Sequence, residues 1–307
     1  MPKPVLKWAG GKRELLPNIR EYYKELKPKK YIEPFFGGGA VYLDILKTFG
    51  DGYKNNSIIN DINVDLIELY RNIKTSPQEI IFYCKELEKD YYKYDYYHIR
   101  SRFNGIDNEK NVVDRYEGIV RSSSLILLNK TCFNGLYRVN RKGLFNVPKG
   151  SSKNPRIVNE ENLYMLSSSL PNVENIRNTE FDKIEEIERG DLVYFDPPYH
   201  PLNETSSFTS YSGQFGSEEQ TRLRDYFKKL DDMGVYVILS NSSAPFIREI
   251  YNEFNIIEIY CTRTINSKSN KRGKIPEFLI VGNGFNDNVE KFTNNNLESN
   301  LNKWLLA

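Results

Sequence analysis

The tetrapeptide Asp196-Pro197-Pro198-Tyr199 follows directly on the apolar run Leu192-Val193-Tyr194-Phe195. Two successive prolines fix φ and cannot donate hydrogen bonds, so the chain must leave a strand end in a stiff extended segment with carbonyl oxygens unpaired. An acidic acceptor (Asp196), a carbonyl (Pro197) and an aromatic face (Tyr199) are thereby offered together. That set suits a planar amino group held by two acceptors and stacked on a ring. A rigid turn accounts for the prolines but leaves the Asp and Tyr at this spacing without a reason.

Two glycine-rich segments add a binding capacity. Glu33-Pro34-Phe35-Phe36-Gly37-Gly38-Gly39-Ala40 comes after the short strand candidate Tyr31-Ile32, as the first strand-to-helix turn does in Rossmann-like sheets, where glycines let a ligand approach the backbone. The dinucleotide fingerprint fails because Tyr42 stands where Gly or Ala is required, which disfavours NAD. Asp61 ends a second strand candidate about 24 residues beyond Gly37, where doubly wound folds put the acid that binds ribose hydroxyls. Lys7-Trp8-Ala9-Gly10-Gly11-Lys12 precedes a helical pattern through Leu15, Leu16 and Ile19. It offers free backbone N–H groups and a cation to a carboxylate or phosphate. It is not a Walker A loop, since Leu6 and Arg13 occupy positions that need Gly and Ser or Thr.

The rare residues exclude other chemistries. Two histidines, His98 and His200, and three scattered cysteines, Cys84, Cys132 and Cys261, form neither a zinc site nor a disulfide framework, and no metal is expected. Neither imidazole sits in a nucleophile motif, so catalysis must rest on carboxylates, backbone groups or a borrowed cofactor. No run of about 18 apolar residues is present and the N-terminus lacks a signal-peptide block, so a cytoplasmic protein without a membrane partner is expected.

These residues need a scaffold, and the apolar runs supply one. Ser57–Asn60, Leu192–Phe195, Val235–Leu239, Ile256–Tyr260 and Phe278–Val281 read as buried strands. Ser76-Pro77-Gln78-Glu79 combines an N-cap, a first-turn proline and a capping-box Glu. Ser217 with Gln220 makes the same box for a helix that Gly234 can end. Strands alternating with helices predict an α/β layered sheet. From about Tyr91 to Asn175 the alternation lapses, with a hairpin expected where Gly143 turns between Leu136–Val139 and Leu144–Val147. The predicted organisation is a core of residues 1–75 and 176–285, an inserted domain of residues 76–175 and a tail of residues 286–307, in which Leu301, Trp304 and Leu305 suggest a short amphipathic helix.

Charge supports that division. Lys and Arg total 43 against 41 Asp and Glu, a net of +2 over 307 residues. Yet Arg121, Lys130, Arg138, Arg141, Lys142, Lys149, Lys153 and Arg156 fall in one segment without an acid, interleaved with Phe133-Asn134-Gly135-Leu136-Tyr137-Arg138-Val139-Asn140 and Phe145-Asn146-Val147-Pro148. Cations, Asn and aromatics around a hairpin are what a nucleic-acid groove reader needs. A second basic patch, Arg263, Lys268, Lys271, Arg272 and Lys274, points the same way.

With these four motifs in this order, the sequence resembles the Dam/DpnII-type (α-group) DNA adenine-N6 methyltransferases over roughly Pro4 to Val281. The resemblance implies a Rossmann-like S-adenosylmethionine-dependent methyltransferase sheet with an inserted, mainly helical plus hairpin, target-recognition domain. It implies S-adenosyl-L-methionine contacts at Trp8, Gly11, Lys12, Phe35, Gly37, Gly39, Asp61 and Asp196, with Lys12 near the methionine carboxylate and Asp61 on the ribose. Catalysis falls to Asp196, Pro197 and Tyr199 acting on a flipped adenine. DNA contacts fall to Lys7, Asn134, Leu136, Arg138, Asn140, Pro148, Lys268 and Arg272, with Arg138 at the position that reads guanine and GATC as the expected site. After Pro148 the chain has Lys149-Gly150-Ser151-Ser152, where relatives often carry an aromatic or an Arg-Tyr pair. The partner expected is double-stranded DNA. One chain holds the full motif set, so a monomer is expected, and any cognate restriction endonuclease would act on the same site without a stable complex. Two alternatives stay open on the residues alone: an amino-methyltransferase acting on RNA or a protein amide, and a non-catalytic DNA-binding relative.

Overall fold

The computed structural model describes residues 1–8, 10, 12, 14–152, 154–202, 215–262 and 274–285. Seven strands form one sheet: β1 (Tyr31–Glu33), β2 (Ser57–Asn60), β3 (Ile176–Arg177), β4 (Leu192–Phe195), β5 (Tyr236–Ser242), β6 (Asn255–Thr262) and β7 (Lys274–Val281). Their order is β3-β2-β1-β4-β5-β7-β6. The first five are mutually parallel, and β7 enters antiparallel between β5 and β6. The fold is mixed α/β, with a Rossmann-like methyltransferase sheet as expected.

Strand alternation sorts the apolar residues into two cores. Tyr31, Ile59, Leu192, Tyr194, Ile238 and Leu279 face one side, and Ile32, Ile58, Val193, Phe195, Val237, Leu239 and Ile280 face the other. Strands buried on both faces read as the continuous apolar runs seen in the sequence. The first face packs on α1 (Leu16–Tyr23), α2 (Ala40–Phe49) and α3 (Val64–Thr75); the second packs on α8 (Ser217–Asp232) and α9 (Pro245–Ile250).

Between α3 and β3 lie four helices, α4 (Pro77–Tyr94), α5 (Tyr96–Asn104), α6 (Gly118–Thr131) and α7 (Glu160–Ser169). Helix α6 is buried on every side, from Ser122 to Asn129. It packs on α3, α4 and α5, with Ser122 Oγ accepting from Asn72 Nδ2 of α3 (2.9 Å) and Ser123 Oγ donating to Ile80 O of α4 (3.4 Å). The same apolar core runs without a break from the sheet into these helices. After α6 the expected hairpin forms: Asn140 N donates to Leu144 O (2.9 Å), Asn146 N to Arg138 O (3.0 Å) and Phe133 N to Pro148 O (2.9 Å), with Val139 bridged to Phe145.

Two helix starts differ from expectation. Ser76 stands at the N-cap of α4 but its hydroxyl caps nothing. Ser217 is the first helical residue of α8 rather than its cap, which is Gly216. Gln220 therefore does not close a capping box. It is fully buried, and its side chain is taken up by the site described next.

The tail helix with Leu301, Trp304 and Leu305, most of the basic patch from Arg263, and Gly11 lie outside the described residues. No helix among the described residues is long and apolar enough to cross a membrane.

Candidate active site

The order of the sheet creates the site. Successive strands are added outward on one side from β1 to β3 and on the other side from β4, so the strand order reverses between the parallel neighbours β1 and β4. The crevice at the carboxyl ends of such a pair is where open α/β sheets bind ligands. Tyr31 and Ile32 of β1 sit in register with Leu192 and Val193 of β4, so the Gly-rich turn after β1 and Asp196 after β4 are neighbours by construction.

The Gly-rich turn is shaped by its glycines and held by Asp61. Gly37 has φ +50° and Gly39 φ +70°, backbone conformations that side chains rarely adopt. A Cβ on Gly37 would stand 2.9 Å from the Trp8 indole, and one on Gly39 would stand 2.6 Å from the Phe36 ring. Asp61, just past β2, accepts hydrogen bonds from Gly37 N (2.9 Å) and Asn63 N (2.9 Å). Tyr70 OH donates to Gly37 O at 3.0 Å. Burial raises the Asp61 carboxyl from its ordinary 3.8 to about 6, with the amides of Asn63 and Gly37 pulling the other way. The Phe35 ring packs in a cluster with Phe181 (5.4 Å between centroids) and Phe215 (5.6 Å).

Asp196 meets Lys12. The Lys12 ammonium is 2.7 Å from Asp196 Oδ1 and donates to Gly10 O at 2.6 Å. It also lies 4.7 Å from the centre of the Tyr199 ring. Burial pushes the Asp196 carboxyl upward, and Lys12 opposes that shift. Pro197 O accepts no hydrogen bond from the described residues, whereas Pro198 O accepts from Gln220 Nε2 (2.8 Å). Gln220 Oε1 in turn accepts from Asn241 Nδ2 (2.9 Å), and Asn241 Oδ1 accepts from His200 N (3.1 Å) and Ser242 N (2.8 Å). These buried amides of α8 and β5 fix the backbone on both sides of Tyr199 and take up Pro198 O rather than Pro197 O. A buried polar network that is fully paired confers rigidity.

Sequence reasoning missed Gln220, Asn241, Glu277 and Glu33. Tyr199 OH donates to Glu277 Oε2 at 2.9 Å. Glu33, 2% exposed, accepts from Tyr31 OH (2.7 Å) and Tyr42 N (3.1 Å), and burial holds its carboxyl well above the usual range. A charged residue closing an apolar strand was the available signal for Glu33. Gln220, Asn241 and Glu277 carry none, because only the tertiary fold brings them to the tetrapeptide.

The Lys7-Trp8 segment links this site to the hairpin. Asn129, at the end of α6, accepts from Lys7 N (2.8 Å) and donates to Lys7 O (2.8 Å) and Gly135 O (2.9 Å). Trp8 stacks on Tyr137 with centroids 5.3 Å apart. Lys7, Asn134, Arg138, Asn140 and Pro148 are exposed, and Leu136 is half-buried. Arg138 donates from Nε to Asn146 Oδ1 (2.7 Å). The Asn140 side-chain oxygen caps the hairpin turn, accepting from Lys142 N (2.9 Å) and Leu144 N (3.1 Å). One of the eight cations is not available to a polyanion: Arg121 is paired through two bonds, 2.6 and 2.9 Å, to Asp65 on α3. Lys268 and Arg272 lie outside the described residues. Among the described residues no group of His, Cys, Asp or Glu could hold a metal ion.

Known proteins are similar in sequence along nearly the whole chain. A Type II methyltransferase of Lactococcus lactis subsp. cremoris, M1.LlaDCHI, is 42% identical over 285 residues, covering 92% of this chain and 96% of its own. The Type II methyltransferase M.MjaIII of Methanocaldococcus jannaschii is 44% identical over 294 residues, covering 91% and 98%. The DNA adenine methylase of Escherichia coli (strain K12) is 32% identical over 282 residues, covering 91% and 95%. The family model of the D12 class N6 adenine-specific DNA methyltransferases matches residues 8–265, a span that takes in Trp8, Lys12, the Gly-rich turn, Asp61, the hairpin and the Asp196–Tyr199 tetrapeptide. The chain therefore belongs to the D12 class of N6 adenine-specific DNA methyltransferases.

Proposed function

We propose that the protein transfers a methyl group from S-adenosylmethionine to N6 of an adenine turned out of duplex DNA, within GATC. The observation that carries this reading is the convergence of the Asp196 carboxylate, the Pro197 carbonyl, which accepts no hydrogen bond from the described residues, and the Tyr199 ring at the switch point, beside a turn in which Gly37 and Gly39 have positive φ. Residues 1–75 and 176–285 act as the catalytic core and residues 76–175 as the target-recognition unit. The chain works as a monomer on DNA in the cytoplasm.

The residues present fit the cofactor. A side chain at Gly37 would run into the Trp8 indole and one at Gly39 into the Phe36 ring, so the turn stays open only with glycines there. Asp61 offers an acceptor to a ribose, and Lys12 offers a cation to a carboxylate. Ile62, 66% exposed beside Asp61, gives an apolar surface to a purine ring. When bound, the cofactor supplies a methyl carbon made electrophilic by its sulfonium.

The chain's own residues prepare the nucleophile. The adenine N6 lone pair is delocalised into the ring, so the amine is a weak nucleophile. Asp196 and the Pro197 carbonyl, both accepting from N6, draw it toward tetrahedral geometry and aim its lone pair. The Asp196 anion also stabilises positive charge growing on N6 as the methyl–sulfur bond gives way, an effect of about 3 kcal/mol in such sites. The methylated nitrogen then releases one proton to solvent to give neutral N6-methyladenine. Tyr199 stacks on the base once it has left the helix.

Asp61 gives a pH dependence. Its native pKa of about 6 lies above its ordinary 3.8, so the fold holds this proton more tightly than the unfolded chain does, and ionising the group costs stability as pH rises between those values. The anion is nevertheless the form that accepts from both Gly37 and a ribose. Cofactor affinity is therefore expected to weaken as pH falls through about 6, measured by calorimetric titration between pH 5 and 8. A flat profile would mean that Asp61 is not a ligand.

Specificity rests on the hairpin. Arg138→Ala is expected to cost about 1–3 kcal/mol and to relax choice at one guanine, measured by competition among duplexes with single-base changes. Equal loss on every duplex would make Arg138 a phosphate contact. The reading as a whole is tested by genomic DNA from cells expressing the gene. That DNA should resist an endonuclease blocked by N6-methyladenine in GATC and be cut by one that requires it, and the reverse digestion pattern would contradict the reading.

A further inference from the structure

We infer that Glu277 is a positioning residue for methyl transfer, acting through Tyr199 by fixing its ring and enriching the electron density of the face that meets the target base. The inference rests on the proposed stacking of adenine on Tyr199.

Glu277 reaches the site because β7 runs antiparallel between its neighbours, in register with Ser242 of β5 and Ile259 of β6. The Tyr199 hydroxyl donates to Glu277 Oε2 at 2.9 Å. Burial, followed by the charges of Asp196 and Glu277, pushes the phenol pKa well above its ordinary value, so Tyr199 stays a donor. The backbone on either side is already held by Gln220 at Pro198 O and by Asn241 at His200 N. The hydroxyl bond therefore removes the ring's remaining swing.

The bond also has an electronic consequence. A phenol donating to a carboxylate carries more electron density in its ring, which deepens the negative potential of its face. That face already attracts a cation: the Lys12 ammonium lies 4.7 Å from the ring centre and 2.7 Å from Asp196 Oδ1. An adenine N6 bound to Asp196 would sit beside the same face, and its positive charge grows only as the new bond forms. The attraction is thus larger in the transition state than in the ground state, the condition for raising the rate rather than the affinity.

Single-turnover methyl transfer from a preformed complex with S-adenosylmethionine and a GATC duplex tests this. Glu277→Gln keeps an acceptor and removes the charge. It should slow transfer about 3- to 30-fold, the span of cation–π differences of this kind, with Kd for cofactor and duplex changed less than about twofold. Added to Tyr199→Phe, it should produce no further loss. An unchanged rate, the same loss in the Tyr199→Phe background, or a loss matched by weaker binding of both ligands and a lower Tm would each overturn the inference. If Glu277→Gln does not fold, Tyr199→Phe alone removes the same hydrogen bond and must slow transfer at unchanged Kd; an unchanged rate overturns the inference there too. A wild-type protein that transfers no methyl group would refute the parent reading instead.

Discussion

Asp196→Ala is expected to lower the single-turnover methyl-transfer rate by about 100- to 1000-fold, the loss seen when a group stabilising transition-state charge is removed. Duplex affinity should be largely kept, because the exposed cations of the hairpin are untouched. The substitution also strips Lys12, 4% exposed, of its anion, and breaking such a pair is itself destabilising. Asp196→Asn separates the two effects: it preserves an acceptor for Lys12 and N6 and removes only the charge. A Tm held near wild type with a rate still depressed assigns the loss to chemistry. A rate within about threefold of wild type in both variants would show that Asp196 does not act on the reacting amine.

The second large effect is expected at the other side of the crevice. Asp61→Ala should raise the cofactor Kd about 100-fold. It leaves the amides of Gly37 and Asn63 without their acceptor, at about 1–3 kcal/mol for each group that stays buried, and it removes the proposed ribose contact. The turn then loses the bond that holds Gly37 at φ +50°. Calorimetry with the cofactor analogue S-adenosylhomocysteine reads the change without turnover. An unchanged Kd would reduce Asp61 to a cap on the turn between β2 and α3.

Much of this was legible in the sequence because the physics is local. Strands β2 and β4 are buried on both faces, so they appear as apolar runs with the observed ends. The Gly-rich turn and the double proline announce backbone geometry that other residues cannot adopt. The hairpin around Gly143 followed from turn chemistry alone.

What was hidden is non-local. Helix α6 has no amphipathic stripe because all its sides are packed, so periodicity could not mark it. The bond between Arg121 and Asp65 joins residues on different helices, and a count of charges along the segment over-estimated what is available to DNA. Gln220 looked like half of a capping box. In the fold it holds Pro198 O instead, since α8 begins at Ser217 itself with Gly216 as its cap, one residue earlier than a cap at Ser217 would require. Glu277 is an ordinary strand residue until β7 brings it to Tyr199.

The most direct test is to incubate the purified protein with S-adenosylmethionine carrying a deuterated methyl group and a duplex containing one GATC, and to analyse the nucleosides by mass spectrometry. The account predicts the label in N6-methyladenine at the GATC adenine and none in a duplex where that site is scrambled. Label in cytosine, equal label in both duplexes, or no transfer to DNA at all would contradict it.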